Sequence, residues 1–135
     1  MGAAISDLQL MIGGMAPALN AGVYAYVCVP HGCDTSGTDA IASVHEAEGL
    51  TLVLPEAQAL ARGWPVLLRC AWITLHVHSD LNAYGLTAAF AKALSDAQIS
   101  CNVLAGAFHD HIFVPVDQAD AAMAALRRLQ DSVRA

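Results

Sequence analysis

Basic residues are scarce in this sequence, and none occurs in the first 61 positions. Six Lys and Arg residues stand against twelve Asp and Glu residues, so the formal net charge is −6 at pH 7. The basic residues are Arg62, Arg69, Lys92, Arg127, Arg128 and Arg134. Because they form no run or stripe that would neutralise phosphates, we expect no nucleic acid partner.

Charged and aromatic side chains are also few. Of the 135 residues, 13% are charged and 6% are aromatic, whereas 56% are hydrophobic. This composition predicts a compact core of aliphatic side chains rather than a disordered chain. The length allows one ordinary domain or two very small ones, which excludes a large multidomain enzyme.

Residues 8–33 carry no charged side chain, a length that would cross a bilayer. Pro17, Asn20 and several glycines interrupt this run, and no basic residues flank it, so we expect neither a membrane span nor an export signal. The cysteines Cys28, Cys33, Cys70 and Cys101 include no CxxC pair. Together these features predict reduced thiols and a cytoplasmic protein.

Hydrophobic periodicity predicts an alternation of helices and strands. The first half contains a helix over 7–19, strands over 23–29, 40–45 and 50–54, and a helix over 56–62. The second half contains a strand over 66–77, a helix over 86–97, strands over 99–104 and 109–116, and a helix over 117–132. Breakers around Gly63-Trp-Pro65 predict a domain boundary, with residues 1–65 and 66–135 on either side.

The order β-α-β-β-α, with helices that are apolar on one side, predicts an α+β fold. Its sheet is antiparallel and carries its helices on one face, the split βαβ arrangement of ferredoxin-like units. One closing strand is missing from the second half. We therefore expect two units in tandem that complete each other's sheets.

The loop that joins the strand over 66–77 to the next helix predicts a small anion site. Gly85 lets backbone approach closely, and the free N–H groups of Gly85, Leu86 and Thr87 point at the site together with the helix dipole. Ser79, Asp80 and Asn82 add polar groups, and Asp80 is a candidate for the amino group of an amino acid ligand. In the alternative interpretation, Ser79 or Asp80 only caps the helix.

Four histidines form two pairs at i, i+2 spacing on strands expected to be neighbours: His76, His78, His109 and His111. Brought together, their imidazoles would suit zinc, so a zinc-binding protein is an alternative function. The other interpretation places them on a half-buried sheet face, hydrogen-bonded to backbone and acidic groups, with no metal or cofactor.

No catalytic motif is present. Ser100 or Cys101 could form a nucleophile–base pair with His109, but no third orienting residue accompanies such a pair. The phosphate-loop, GxGxxG and HExxH motifs are absent. We therefore expect a protein that is not an enzyme.

Four segments together resemble the small bacterial tandem ACT-domain proteins over nearly the whole chain. They are Glu48-Gly-Leu-Thr-Leu-Val-Leu-Pro-Glu56, the loop and helix start from His78 to Ala88, Ile99-Ser-Cys-Asn-Val103 and His109-Asp-His-Ile-Phe-Val-Pro115. The resemblance implies ferredoxin-like ACT units without catalysis of their own, which bind amino acids or other small effectors.

The resemblance also implies which residues contact the ligand. It matches the loop Ser79–Thr87 and the strand residues Ser100 and Asn102 to ACT ligand-contacting segments, and it sets Thr51 and Leu52 opposite them. Our main hypothesis is a cytoplasmic, amino-acid-binding regulatory protein that acts on an enzyme in trans, with exposed sheet edges that favour a homodimer. A protein-interaction module without a ligand is a further alternative.

Overall fold

The computed structural model describes residues 7–134, which pack into two compact units. Ala21–Ala71 form one of them, called here the middle unit. The described residues 7–20 and 72–134 form the other, called the terminal unit. The boundary predicted at residue 65 stays a proposal.

The α+β class predicted from the sequence is confirmed, and most elements lie near their predicted positions. In chain order they are α1 (Leu8–Gly13), β1 (Pro17–Leu19), β2 (Tyr24–Val29), β3 (Ala42–Glu46), β4 (Gly49–Pro55), α2 (Glu56–Ala61), β5 (Leu68–Leu75), α3 (Leu86–Asp96), β6 (Asn102–Ala105), β7 (Asp110–Pro115), a single 3-10 turn (Val116–Gln118) and α4 (Ala119–Ser132). Among residues 7–134, no helix is long and apolar enough to span a bilayer.

The middle unit is an antiparallel sheet with strand order β3-β4-β2-β5 and one helix. Alternate residues of β2 and β4 point to one face, where they bury an aliphatic core against Ala59 of α2. This core consists of Ala25, Val27, Val29, Leu52, Leu54 and Ala59. Only the first four residues of β5 belong to this unit.

The terminal unit has the strand order β1-β5-β7-β6. Here the last four residues of β5 act as the first strand of a split βαβ unit, and β7 lies between β5 and β6. Helices α3 and α4 pack together, and α4 also contacts β1 and β7. The predicted ferredoxin-like arrangement is therefore present, with its fourth position filled by β1.

The start of the terminal unit departs from the sequence prediction of a helix over 7–19. Helix α1 ends at Gly13, and its C-cap Gly14 donates its N–H to the carbonyl of Leu10 at 3.0 Å. Ala16 then has a φ of +44°, which turns the chain out of helical geometry. Pro17–Leu19 pair antiparallel with β5, so the tertiary pairing supplies the strand that the second half lacks.

Helix α3 confirms the apolar stripe read from the sequence. Leu86, Phe90 and Leu94 are at most 4% exposed, and they lie at i, i+4 and i+8 on one face. Burial of each such side chain contributes about 1.5–3 kcal/mol. This packing fixes the direction of α3, and with it the position of its N-terminus at the loop after β5.

Candidate functional site

Helix α3 begins without a side-chain cap. Gly85 is the N-cap residue, with a φ of +101°, and no side chain accepts a hydrogen bond there. The first N–H groups of the helix therefore keep no acceptor within the helix. Leu8 packs on the glycine so closely that a Cβ at Gly85 would lie 3.2 Å from both Leu8 methyl carbons. The positive φ thus favours glycine at this position, and a Cβ would also require the Leu8 side chain to shift by a few tenths of an ångström.

A pocket of about 270 Å³ opens beside this helix start. Its walls come from α1, the loop after β5, the start of α3, and the ends of β6 and β7. The lining residues are Met11, Ser79, Asp80, Leu81, Ala83, Tyr84, Gly85, Leu86, Thr87, Ala105 and Asp110. Five residues predicted from the sequence are therefore brought together around one space: Ser79, Asp80, Gly85, Leu86 and Thr87.

Asp80 and Asn82 shape the loop itself. The Asp80 carboxylate accepts the N–H of Asn82 at 2.8 Å, and the Asp80 carbonyl accepts the N–H of Ala83 at 2.9 Å. Both Asp80 and Asn82 are exposed. Together with Asp7 and Leu8, they also line a second, more open pocket of about 490 Å³. Asp80 thus stabilises a turn in addition to lining the first pocket.

Asp110 is a charged pocket residue that the sequence did not single out as a ligand contact. It begins β7 and is 8% exposed, on the same strand face as the fully buried Ile112 and Val114. No hydrogen bond to its carboxyl group is found among residues 7–134. Burial raises the pKa of the Asp110 carboxyl, while the nearby charge of His111 opposes that rise. Apart from this influence of His111, the described residues offer an ionised Asp110 no compensating partner.

The remaining predicted ligand residues lie outside this group. Ser100 and Asn102 are exposed at and before the start of β6, and neither is among the described residues that line the two pockets. In the middle unit, the Thr51 hydroxyl donates to the carboxylate of Glu46. Leu52 is 2% exposed within the core of that unit. The part these four residues take in binding stays a proposal.

The four histidines make different ring contacts. The His76 and His109 rings approach edge to face with centroids 5.1 Å apart, and His78 lies 5.2 Å from the Phe108 ring. His111 instead faces Trp72. In the described part of the chain, no group of three or more His, Cys, Asp or Glu side chains is placed to hold a metal ion. The regular alternation assumed from the sequence stops because β5 ends at Leu75.

A polar network lies on the opposite sheet face from Asp110. Nδ1 of His111 accepts the indole N–H of Trp72 at 3.0 Å and lies 3.2 Å from the Thr74 hydroxyl. The side-chain amide of Asn20 donates to that hydroxyl at 2.9 Å and to the Trp72 carbonyl at 3.1 Å. The network joins the residue that follows β1 to β5 and β7.

The four cysteines are free. Burial raises the pKa of the Cys70 thiol to about 11, and it also raises the pKa of the Cys101 thiol. Both side chains therefore stay protonated at neutral pH and are poor nucleophiles.

Comparisons with known proteins agree with this architecture. Models of the ACT domain match residues 3–71 and residues 67–128. The crystal structure of a Vibrio cholerae protein of unknown function, named a possible transport protein, is 42% identical, with a TM-score of 0.81 over 91% of this chain and 95% of that one. No curated protein sequence matches the chain.

Aspartate kinases share the fold at low identity. The ligand-free regulatory subunit of the Thermus thermophilus enzyme is 10% identical, with a TM-score of 0.67 over 86% of this chain and 97% of that one. The Clostridium acetobutylicum aspartate kinase is 9% identical, with a TM-score of 0.63 over 86% of this chain and 34% of that one.

Ferredoxin-like strand order in both units, with a pocket at a strand-to-helix loop, defines a small-molecule-binding regulatory protein. Within that class, the chain belongs to the ACT domain family, since the two family matches together extend from residue 3 to residue 128.

Proposed function

We propose that this chain is a non-catalytic regulatory protein that binds a free amino acid in the pocket at the start of α3. The observation that carries this proposal is the uncapped helix start at Gly85, which opens into a space of about 270 Å³. A helix N-terminus favours a carboxylate through its free N–H groups and its dipole. The polar and apolar groups around the pocket suit the remainder of a small amino acid.

Ligand binding would be converted into regulation through the elements that meet at the pocket. Met11 comes from α1, Ala105 from β6 and Asp110 from β7, while the loop after β5 supplies most of the wall. A ligand that contacts all of these elements binds more tightly when they are close together than when they are apart. This difference in affinity sets how far the ligand shifts the equilibrium toward the close arrangement. We propose that the partner affected by this shift is a separate enzyme, which is regulated in trans.

The proposal is tested by thermal unfolding with each of the twenty L-amino acids at millimolar concentration. A ligand present at 100 times its Kd stabilises the folded protein by about 2.7 kcal/mol, a shift of several degrees for a chain of this size. If no amino acid raises the Tm, the proposed function is wrong.

A matched pair of variants locates the binding site. Ala105→Leu places a larger side chain in the pocket wall and is expected to abolish the Tm shift. Ala107→Leu, on an exposed residue nearby that does not line the pocket, is expected to preserve it. Equal loss in both variants would point to a general disturbance of the β6–β7 turn rather than to a filled site.

The other residues implied by the family resemblance are tested in the same way. We propose that Thr51, Leu52, Ser100 and Asn102 contribute to ligand contact. Thr51→Ala and Asn102→Ala are then expected to weaken amino acid binding measured by calorimetry, while unchanged affinity would remove them from the site. Leu52 is unsuitable for such a test because it belongs to the core of the middle unit.

A homodimer in the cytoplasm remains part of the proposal. Strand β6 is an edge of the terminal unit and β3 is an edge of the middle unit, and each edge leaves backbone N–H and carbonyl groups for a further strand. Sedimentation analysis across a concentration range would show a monomer throughout if this expectation is wrong.

A further inference from the structure

We infer that Asp110 binds the ammonium group of the ligand, so that the pocket selects a small zwitterion with an uncharged side chain. This inference rests on the proposed function and specifies the ligand of the same site. It assigns opposite charges to two poles of one pocket: the free N–H groups at the start of α3 and the carboxylate at the start of β7.

The first step compares the carboxylates that border the two pockets. Asp7 accepts the N–H of Leu10 at 3.0 Å and so caps α1. Asp80 accepts the N–H of Asn82 at 2.8 Å and so closes its turn. Both are exposed, whereas Asp110 is buried and has no such donor among residues 7–134. Asp110 is therefore the carboxylate whose hydrogen-bonding capacity is free for a ligand.

The second step concerns the cost of this burial. A carboxylate that is mostly buried and accepts no hydrogen bond is unfavourable, because the part of its hydration that it loses is not replaced. An ammonium group in the pocket restores both the charge balance and the hydrogen bonds. The strand geometry keeps Asp110 on the inner face, because Ile112 and Val114 lie on the same face of β7 and are buried in the core. The free carboxylate is thus held at the pocket by the fold itself.

The third step concerns the rest of the ligand. No Lys or Arg residue is found among the described residues that line either pocket; Asp80 lines both pockets, and Asp7 lines the more open one. A second carboxylate on the ligand would therefore meet no basic side chain and would be repelled by Asp80 and Asp110. The apolar part of the wall includes Met11, Leu81 and Leu86. A neutral amino acid such as alanine or leucine fits this distribution better than aspartate or glutamate.

Calorimetry with matched probes tests the assignment. L-leucine carries both poles, 4-methylpentanoate lacks the ammonium group, and 3-methylbutylamine lacks the carboxylate; L-alanine, propanoate and ethylamine form a smaller set. The wild-type protein is expected to bind at least one of the two amino acids at least tenfold more tightly than either of its analogues. Equal affinity for the amino acid and its carboxylate analogue would overturn the inference.

Two variants separate the role of Asp110 from a general effect of removing a carboxylate. Asp110→Asn keeps the shape of the side chain, and it is expected to reduce the tenfold preference for the amino acid over its carboxylate analogue to about one. Asp120→Asn, at an exposed residue that lines neither pocket, is expected to leave the preference unchanged. A preference retained in Asp110→Asn would exclude the assignment even though amino acids bind.

A measurement on the wild-type protein covers the case in which Asp110→Asn does not fold. Carboxyl carbon NMR follows the titration of Asp110, and saturation with the amino acid is expected to lower its pKa, whereas the carboxylate analogue is not. An unchanged Asp110 pKa would contradict the inference. If neither L-leucine nor L-alanine nor any other amino acid binds the wild-type protein, the proposed function and this inference fail together.

Discussion

Trp72 donates its indole N–H to Nδ1 of His111 across neighbouring strands at 3.0 Å. This hydrogen bond requires an unprotonated Nδ1, which fixes the neutral imidazole with its proton on Nε2. Burial lowers the pKa of His111 further, as do the nearby His109 and His76, while Asp110 acts in the opposite direction. The folded protein therefore favours the neutral form of His111.

The folded state is consequently expected to lose stability on mild acidification. The pKa of His111 is lowered on folding from the ordinary value of 6.5, so the unfolded chain binds the proton more readily. Stability falls as the pH drops through 6.5 toward the lower folded-state pKa. Urea unfolding at pH 7.5 and 5.5 measures the loss. His111→Gln is expected to reduce it, while the exposed control His45→Gln is not; an equal loss in both variants would contradict the explanation.

The amide of Asn20 is expected to contribute to stability through the hydroxyl of Thr74. Asn20→Ala and Thr74→Val each remove one side of a 2.9 Å hydrogen bond and leave a partner unsatisfied, at a cost of about 1–3 kcal/mol. The double variant is expected to cost less than the sum of the single variants, since both remove the same bond. Chemical denaturation gives the three values, and Ser43→Ala on exposed β3 is a control expected within about 0.5 kcal/mol. Simple additivity would show that the bond contributes little.

Gly85→Ala is expected to destabilise the protein for two separable reasons. The positive φ of +101° costs a side chain roughly 1–2 kcal/mol, and the new Cβ would press on the Leu8 methyl groups. Gly63→Ala isolates the first reason, because Gly63 also has a positive φ but no atom within 4 Å of its Cβ position.

Urea unfolding of the two glycine variants, alone and combined with Leu8→Ala, distinguishes these reasons. Gly85→Ala is expected to cost more than Gly63→Ala, and Leu8→Ala is expected to cost less in the Gly85→Ala background than in the wild type. Equal costs for the two glycine variants would mean that the helix start moves away from Leu8 freely.

Asp110→Asn is expected to change the free energy of unfolding of the unliganded protein more favourably at pH 7 than at pH 3.5. The pKa of Asp110 is raised on folding above 3.8, so the wild type loses stability as the pH rises through 3.8 toward the folded-state pKa. Asparagine does not titrate and avoids this loss. Unfolding free energies of the wild type and the variant at pH 7 and pH 3.5 measure the change. An effect of the substitution that is equal at both pH values would contradict the prediction.

Local patterns in the sequence were sufficient for most of the fold. The stripe Leu86, Phe90 and Leu94 predicted α3 because helical periodicity depends only on near neighbours. Strand β1 was missed because Pro17–Leu19 is too short to show a period and is defined by its pairing with Ile73–Leu75. Such long-range pairing leaves no local signal.

The residues that line the candidate pocket were predictable in part, for the same reason. Gly85 and its neighbours followed from a loop that enters a helix, whereas Asp110 gave no signal beyond the adjacent histidines. Its burial depends on the register of β6 and β7, with Ala105 opposite Asp110, and on the packing of α1 beside the pocket. The histidine cluster was expected to be tighter than it is, because the end of β5 at Leu75 could not be located from alternation alone.

The position of β1 also has a consequence for synthesis on the ribosome. Asn20 and Thr74 are 54 positions apart, so the first strand of the terminal unit leaves the ribosome long before the strand that it pairs with. The middle unit, Ala21–Ala71, is synthesised in between. Residues 7–20 therefore remain unpaired, with apolar side chains exposed, until β5, β7 and α4 have emerged. Pairing of β1 with β5 is then a late step of folding.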